Sequence, residues 1–502
     1  MYNCIKLIAA CFVLLGSQLK AQTPDSAQVA LNEQAFLTSV KQISASAAPF
    51  IYNDFAAFNS QKPDVFARQV DSLEQVFDHH LESYNGKISP ELYSTRKLEN
   101  RFYFDRLFLE YPGHHLIYTG DSTKLPETIN TKLAANVAEF NNPDLLANGD
   151  LLDYVMAYIK RETDVILHKN QHGFQDNLYL NIAFSLIDEL FTKPEVKGFW
   201  QYQYLSKHIE DLGVKNIEGL YQKFLATATN KEYGEAIRKA YESELAARNA
   251  HTIKTYKEVD GLNLDIHLFE PDSQEFKGKR PVILYLHGGS WSIGKPDWFF
   301  ETGEYYAKQG YLAAAIEYRI KERHNTLPFK AVLDAKSAVR WLRENATTLG
   351  IDPDKILVTG NSAGGHMALC TALSSSYNES TDNTAISAVP NAIMVNSAAY
   401  DLTIANSRWM TVGLKDPDSI KEISPNSLIS KNTPPILIIH GEFDRNTPYE
   451  TALAFRDAMQ KAGNKVEFHT IAGAGHYIWY GQYAGQVGKI RAEYLQKLNW
   501  LN

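Results

Sequence analysis

The segment that most restricts the fold runs from Ile356 to Leu373. A short apolar run with β-branched residues, Ile356–Thr359, passes without a spacer into Gly360-Asn361-Ser362-Ala363-Gly364-Gly365, and an apolar helical pattern, Ala363–Leu373, begins inside that turn. A strand can enter a helix this abruptly only where the turn residues carry little side chain, because the backbone folds closely over itself. The segment therefore predicts a strand–turn–helix unit with Ser362 held exposed at its apex.

The surrounding sequence extends that unit into a sheet. Leu262–Phe269 alternates, and short apolar runs recur at Val282–Leu286, Tyr311–Ile316, Ala392–Val395, Ile436–Ile439 and Val466–Ile471. Helical patterns lie between them, notably Leu327–Leu349, Tyr449–Ala462 and Tyr483–Leu498. Alternating strands and helices predict a mostly parallel, doubly wound α/β sheet. Before residue 250 the rhythm differs. Segments such as Asp64–Tyr84, Leu151–Leu167 and Leu178–Phe191 place apolar residues at three- and four-residue spacing, with breaks expected at Pro112-Gly113, Asn141–Pro143, Gly173 and Lys193-Pro194. The aromatic-rich stretch Arg101–Tyr111 reads as a buried helix face. The 502 residues thus divide into 22–250, an all-α domain of unknown role, and 251–502, an α/β domain.

Residues 1–21 stand apart. Lys6 precedes an apolar run, Leu7–Gly16, then a mostly polar exit ending at Ala21, which reads as an export signal leaving Gln22 first. Leu19 is bulkier than the usual small residue near a cleavage point, so the cut itself is open. The run is too short to span a bilayer, and no integral membrane segment follows it. A lipid-attachment reading of Ile8-Ala9-Ala10-Cys11 is the weaker one, because Cys11 lies in the middle of the apolar run. The chain is expected outside the cytoplasm, periplasmic or extracellular. Cleavage would leave Cys370 as the single thiol, so no intramolecular disulfide would hold the fold. Its setting in Met367–Leu373 suits a packed core thiol. The apolar share of 44% excludes wholesale disorder, and a net charge of −8 without a Lys/Arg-rich run argues against nucleic acid or an anionic membrane as partner.

A serine hydroxyl is a weak nucleophile at neutral pH and needs a base and an orienting acid. With Ser362 on a strand-to-helix turn, both are expected downstream, acid before histidine. Asp444 follows the run Ile436–Ile439, and His476 follows the last one, Val466–Ile471. Glu442 is the local alternative for the acid. His469 competes for the base, although its place inside a strand suits a structural histidine. His366, four residues along the helix from Ser362, either lines the site or packs. His440 precedes a tight turn and is expected to bond locally. The pairs His79-His80 and His114-His115 have no carboxylate or thiolate at ligand spacing, and no metal or organic cofactor is implied.

A second motif, His287-Gly288-Gly289-Ser290-Trp291, directly follows Val282–Leu286. Its glycines let backbone N–H groups turn toward a substrate carbonyl. With the amide of Ala363, those of Gly289 and Ser290, and Gly288 as a further candidate, would stabilise a developing oxyanion.

Together these residues resemble the α/β-hydrolase superfamily of serine esterases, in the hormone-sensitive-lipase-like group and its bacterial feruloyl- and acetyl-esterase branch. The resemblance covers about 252–502 and rests on H-G-G-x-W at 287–291 and G-x-S-A-G-G-H at 360–366. Glu317-Tyr318-Arg319, Asp334 and Asp352–Ile356 also match. Asn361 stands where many relatives have Asp, and Ser290 where many have a third Gly. The resemblance implies ester hydrolysis through an acyl-enzyme, with Ser362 attacking, His476 moving the proton and Asp444 orienting it. The expected substrates are small-molecule or carbohydrate esters, with short acyl or cinnamoyl groups. Trp291 and Trp409 are candidate substrate-binding residues, and Trp298 could stack on a sugar or aromatic acid. The N-terminal half is similar to the helical region of exported Bacteroidetes thioredoxin-family proteins, without a C-x-x-C motif or a catalytic residue to carry over, and its protein partner is unknown. Two alternatives remain: a prolyl-oligopeptidase-type serine peptidase, which would typically carry a β-propeller first, and a non-catalytic binding or adaptor protein on a hydrolase fold.

Overall fold

A computed structural model describes residues 24–169, 176–404, 409–411, 414 and 416–501. The export segment 1–21 and the break expected at Gly173 lie outside the described residues. From Pro24 to Asn249 the described elements are helical, and the first strand begins at Thr252. Among the described residues no helix is long and apolar enough to cross a membrane. The described residues form two compact units: those within 1–115, 123–134 and 145–155 in one, and those within 116–122, 135–144 and 156–502 in the other.

The core of the first unit shows why one expected break is missing. The helix Pro90–Thr119 continues past Pro112 without a break. An internal proline removes one N–H and costs about 3 kcal/mol. Here the residues on either side are pinned by packing. The Tyr111 ring stacks on Phe66 at 4.0 Å, and its hydroxyl donates to Gln61 O at 2.6 Å. His115 Nδ1 bonds Asn59 O at 2.9 Å. Tertiary contacts on both flanks outweigh the local penalty. The stretch Arg101–Tyr111 does bury its aromatic face, with Phe102, Phe104 and Phe108 all inaccessible.

The second unit is built on an eight-stranded sheet: β1 (Thr252–Val259), β2 (Leu262–Phe269), β3 (Arg280–Leu286), β4 (Leu312–Ile316), β5 (Ile351–Asn361), β6 (Ala392–Asn396), β7 (Ile436–Gly441) and β8 (Val466–Ile471). Their spatial order is β1-β2-β4-β3-β5-β6-β7-β8. β2 pairs antiparallel with both β1 and β4, and every pairing from β4 to β8 is parallel. This is the α/β-hydrolase arrangement. Side chains alternate between the two faces, as strand geometry requires. Val282, Leu284 and Leu286 of β3 join the core beneath the helices Pro328–Glu344, Ala363–Leu373 and Tyr449–Lys461. Ile283 and Tyr285 join the core beneath Phe300–Ala307 and Ala484–Leu498. Burial on both faces explains why the central strands read as continuous apolar runs.

Four helices of the same unit precede the sheet: Leu178–Leu190, Pro194–Leu212, Glu218–Thr227 and Lys231–Asn249. They enclose their own core, including Phe184, Leu205, Ile209, Phe224 and Tyr241. Buried charges fasten them to the sheet. Glu317, just beyond β4, receives Lys215 Nζ at 2.6 Å and Arg248 at 2.8 Å. Asp265 of β2 receives Lys215 at 2.7 Å, and Arg323 pairs with Asp176 at 2.6 Å. Burial opposes ionisation of Glu317, but the Arg323, Lys215 and Arg248 charges outweigh it and hold the carboxyl well below the usual carboxylate range.

A second network joins β1 and the segment after β4 to the helix Pro328–Glu344. Arg319 is fully buried and forks onto Asp334, which also accepts Lys257 Nζ at 2.7 Å. Glu379 at 2.7 Å and Asp260 at 2.9 Å complete the charge balance around Arg319. Removing one partner of a buried pair strands the other charge, at a cost of about 3–5 kcal/mol. Asp334→Ala should fall near the lower end, about 3 kcal/mol, because Glu379 and Asp260 remain. The measurement is urea unfolding, in which the midpoint should drop with little change in slope.

Candidate active site

The turn at Ser362 is formed by close backbone approach. A Cβ on Gly364 would lie 2.0 Å from Leu286 O of β3, and one on Gly360 would lie 2.5 Å from the Gly364 carbonyl carbon. A Cβ on Gly365 would meet Ala398 Cβ at 2.7 Å. No side chain fits at any of these positions, so the glycines are needed for space. Ser362 precedes the helix Ala363–Leu373 with φ 54° and ψ −120°, a conformation that L-residues avoid and that is characteristic of functional turns. Its amide donates to Asn396 O at 3.0 Å, which ties the apex to the end of β6. His366 points away from the turn: it is fully buried, and its Nε2 contacts Ile423 O at 2.6 Å. Cys370 is equally buried, and burial pushes its thiol well above the usual range, as expected of an inert core cysteine.

Asp444 and His476 come from loops after β7 and β8, and the structure brings them together. His476 Nδ1 stands 2.8 Å from Asp444 Oδ2. The loops meet because Gly441 admits the backbone of Gly475, where a Cβ would lie 2.1 Å from Gly475 O. Phe443 N donates to Ala474 O at 2.8 Å across the same contact. Asp444 is 4% exposed. Burial favours its neutral form, but the His476 hydrogen bond and charge, with a backbone bond from Thr447, hold its pKa below the ordinary value. An ionised, buried acid on Nδ1 leaves Nε2 as the free face of the ring. Among the described residues no hydrogen bond joins that ring to Ser362, a bond that often tightens only when substrate is bound.

The two competitors lie elsewhere. Glu442 accepts the Gly473 amide at 2.9 Å, and His469 on β8 pairs with Glu467 at 2.8 Å. His440 bonds locally, its Nε2 on Thr447 O at 2.8 Å.

Sequence reasoning passed over Thr447. Its amide donates to Asp444 Oδ1 at 3.0 Å and its hydroxyl to Asp444 Oδ2 at 2.7 Å, and that hydroxyl lies 3.3 Å from His476 Nδ1. It grips both carboxylate oxygens. The one local signal was a short polar turn, Asp444-Arg445-Asn446-Thr447, in which Asp444 bonds the backbone two residues on, to Asn446 N at 2.9 Å, as such turns commonly do.

The loop after β3 brings Gly288 against the apex, since a Cβ there would lie 3.1 Å from Asn361 O and 3.5 Å from Ser362 Cβ. Gly289, Ser290 and Trp291 have φ of +99°, +55° and +56°. Three successive positive-φ residues curl the chain so that neighbouring amides face one side, an arrangement suited to an anion. Ala363 lies in the first turn of its helix, where amides lack an intrahelical partner. Tyr318 steadies the start of the loop: its ring stacks on His287 at 4.0 Å and its hydroxyl donates to His287 O at 2.7 Å. Trp291 is 5% exposed and stands edge-on to His366 at 5.0 Å, behind the loop. Trp409 is half-buried, with Lys321 Nζ 5.5 Å above its ring. Trp298 is exposed and lies edge-on to His287.

Residues 264–459 match the BD-FAE family. The chain is 32% identical over 206 residues to esterase LipQ of Mycobacterium tuberculosis, covering 37% of this chain and 47% of that protein. It is 26% identical over 219 residues to a probable isoprenylcysteine alpha-carbonyl methylesterase, ICMEL1, of Arabidopsis thaliana, covering 40% of this chain and 46% of that protein. The chain thus spans about half the length of these curated relatives. Among solved structures, a thermophilic esterase of Thermogutta terrifontis, Est2, is 32% identical, with a TM-score of 0.47 over 51% of this chain and 94% of that one. The region around the sheet belongs to the α/β-hydrolases of the esterase group.

A paired acid and histidine after β7 and β8 and a strained serine after β5 are the groups acyl transfer needs, and Thr447 bears on the orientation of that pair. Thr447→Val keeps the volume and removes the hydroxyl donor. Loss of one hydrogen bond to a charged group, about 1.5 kcal/mol, should lower kcat/KM on an activated ester about tenfold, measured by steady-state kinetics at neutral pH.

Proposed function

We propose that the chain hydrolyses carboxylic esters through a covalent acyl-enzyme on Ser362. The observation that carries this reading is the 2.8 Å contact between His476 Nδ1 and buried Asp444, formed on the loops after β7 and β8 within the same α/β-hydrolase sheet that presents Ser362. His476 Nε2 takes the Ser362 proton as the oxygen attacks the ester carbonyl. Asp444 fixes the tautomer and stabilises the imidazolium. The carbonyl oxygen becomes an oxyanion facing the amides of Gly289, Ser290 and Ala363. Collapse of the tetrahedral intermediate expels the alcohol, protonated by His476. Water then repeats the sequence to release the acid.

For the substrate we propose short acyl or cinnamoyl esters of carbohydrates. The motif resemblance at 287–291 and 360–366 supports this, as does a half-buried Trp409 beneath Lys321, an aromatic platform with a cationic neighbour. The export reading of Lys6 through Ala21 agrees with polymeric or extracellular esters as targets.

Ser362→Ala should abolish turnover of a short p-nitrophenyl ester and labelling by a fluorophosphonate probe, while leaving the thermal unfolding temperature nearly unchanged. Unchanged turnover would remove Ser362 from the mechanism. A panel of acetylated and feruloylated sugars, alkyl esters and peptides then sorts the substrate class; cleavage of peptides alone would replace the esterase reading with a peptidase.

A further inference from the structure

The loop that carries Gly289 and Ser290 is strained. Ser290 and Trp291 both occupy the left-handed region without being glycine, at a cost of roughly 1–3 kcal/mol each. Such a loop persists only where its surroundings over-determine it. Inside the loop, Ser292 N and Ile293 N both donate to Gly289 O at 3.0 Å. On one outer side, Lys321 N donates to Trp291 O at 2.9 Å and Glu322 N to Ser292 O at 3.0 Å. The other side is held by helices that precede the sheet.

The helix Pro194–Leu212 ends against the exit of this loop. Its last turn carries a partial negative charge, and although Gly213 N already donates to Ile209 O at 3.2 Å, the second lone pair of that carbonyl and the carbonyl of Asp211 are left for outside donors. Gly294 N donates to Asp211 O at 2.9 Å. Lys295 Nζ donates to Ile209 O at 3.1 Å. Lys295 is 7% exposed, and its ammonium also pairs with Glu244 of the helix Lys231–Asn249 and with Asp297, each at 2.8 Å. Gly294 leaves no slack, since a Cβ there would lie 2.3 Å from His287 Nδ1 and 2.7 Å from Gly288 O. The exit of the loop therefore lies directly against its start, and whatever fixes residues 294 and 295 also fixes the amides between them.

We propose that Lys295 is a positioning residue for the oxyanion loop, and that the helices Pro194–Leu212 and Lys231–Asn249 serve the catalytic unit as the anchorage it grips. Neither helix supplies a reacting group. They hold the Gly289 and Ser290 amides where the oxyanion forms. This rests on the acyl-enzyme reading above.

Lys295→Met keeps the stem and removes the charge and all three donors. The expected result is a fall in kcat of about 10- to 100-fold, short of the ~10²–10³ for outright loss of an oxyanion donor, with KM nearly unchanged. A readout that general loosening would not move is the rate ratio between a p-nitrophenyl ester and its thiono counterpart. Sulfur is a poor acceptor for these amides, so displaced amides cost the oxygen ester more, and the ratio should shrink by a similar factor. Folding is checked by circular dichroism and thermal unfolding. If Lys295→Met does not fold, Glu244→Gln, which leaves the Ile209 bond in place, should show a smaller fall in the same ratio. An unchanged ratio in the folded variant overturns the proposal. The wild-type protein separates the two readings: no ester turnover and no fluorophosphonate labelling of Ser362 sinks the acyl-enzyme, whereas an active wild type with an unaltered variant sinks only the role of Lys295.

Discussion

Everything around the candidate site depends on how closely the backbone after β5 passes the end of β3. Gly364 lies so near Leu286 O that not even a methyl group fits between them. That approach forces the strand-to-helix turn, lifts Ser362 into its strained conformation and brings the loop after β3 against the serine. A second close passage, Gly441 against Gly475, does the same for the acid and the histidine. Two steric constraints, each satisfied by the absence of a side chain, thus assemble a site from segments more than a hundred residues apart in the chain.

The features legible in the sequence were those that leave a local signature. Apolar runs bounded by turn residues marked the strands from β2 to β8, and the glycines at 360, 364 and 365 marked the turn. Asp444 and His476 were readable as a pair from chain order and from their place after strands, and Glu442 and His469 could be set lower on the same grounds. Thr447 was not singled out, because a threonine in a polar turn looks ordinary until its hydroxyl is seen on the carboxylate. Pro112 misled for the opposite reason. Proline is a strong local signal, but the contacts of Tyr111 and His115 that override it come from residues about fifty positions away.

Charge pairing was the least legible layer. Arg248 and Glu244 sit in a helix whose periodicity says only that they lie on a polar face, and Lys215 and Asp176 sit in turns beside helices. Their partners Asp265, Lys295, Glu317 and Arg323 belong to the sheet region or its loops, and nothing local links the two sets. Buried ion pairs contribute little net stability over apolar packing, but they penalise any arrangement that leaves one member alone. Their effect is to make one placement of the helices on the sheet far better than its neighbours. The texture change at residue 250 is a real change of secondary structure, yet the helices from Met156 onward share a compact unit with the sheet that follows.

That sharing limits how the sheet could have been exchanged between genes. A recombination event that joined the sheet to a new partner at residue 250 would carry away Glu317 and Lys295 but leave Arg248, Lys215 and Glu244 behind, stranding charge in the interior and at the exit of the loop after β3. The inheritable module is larger than the one the strands outline: its helices and its sheet have lost the freedom to part.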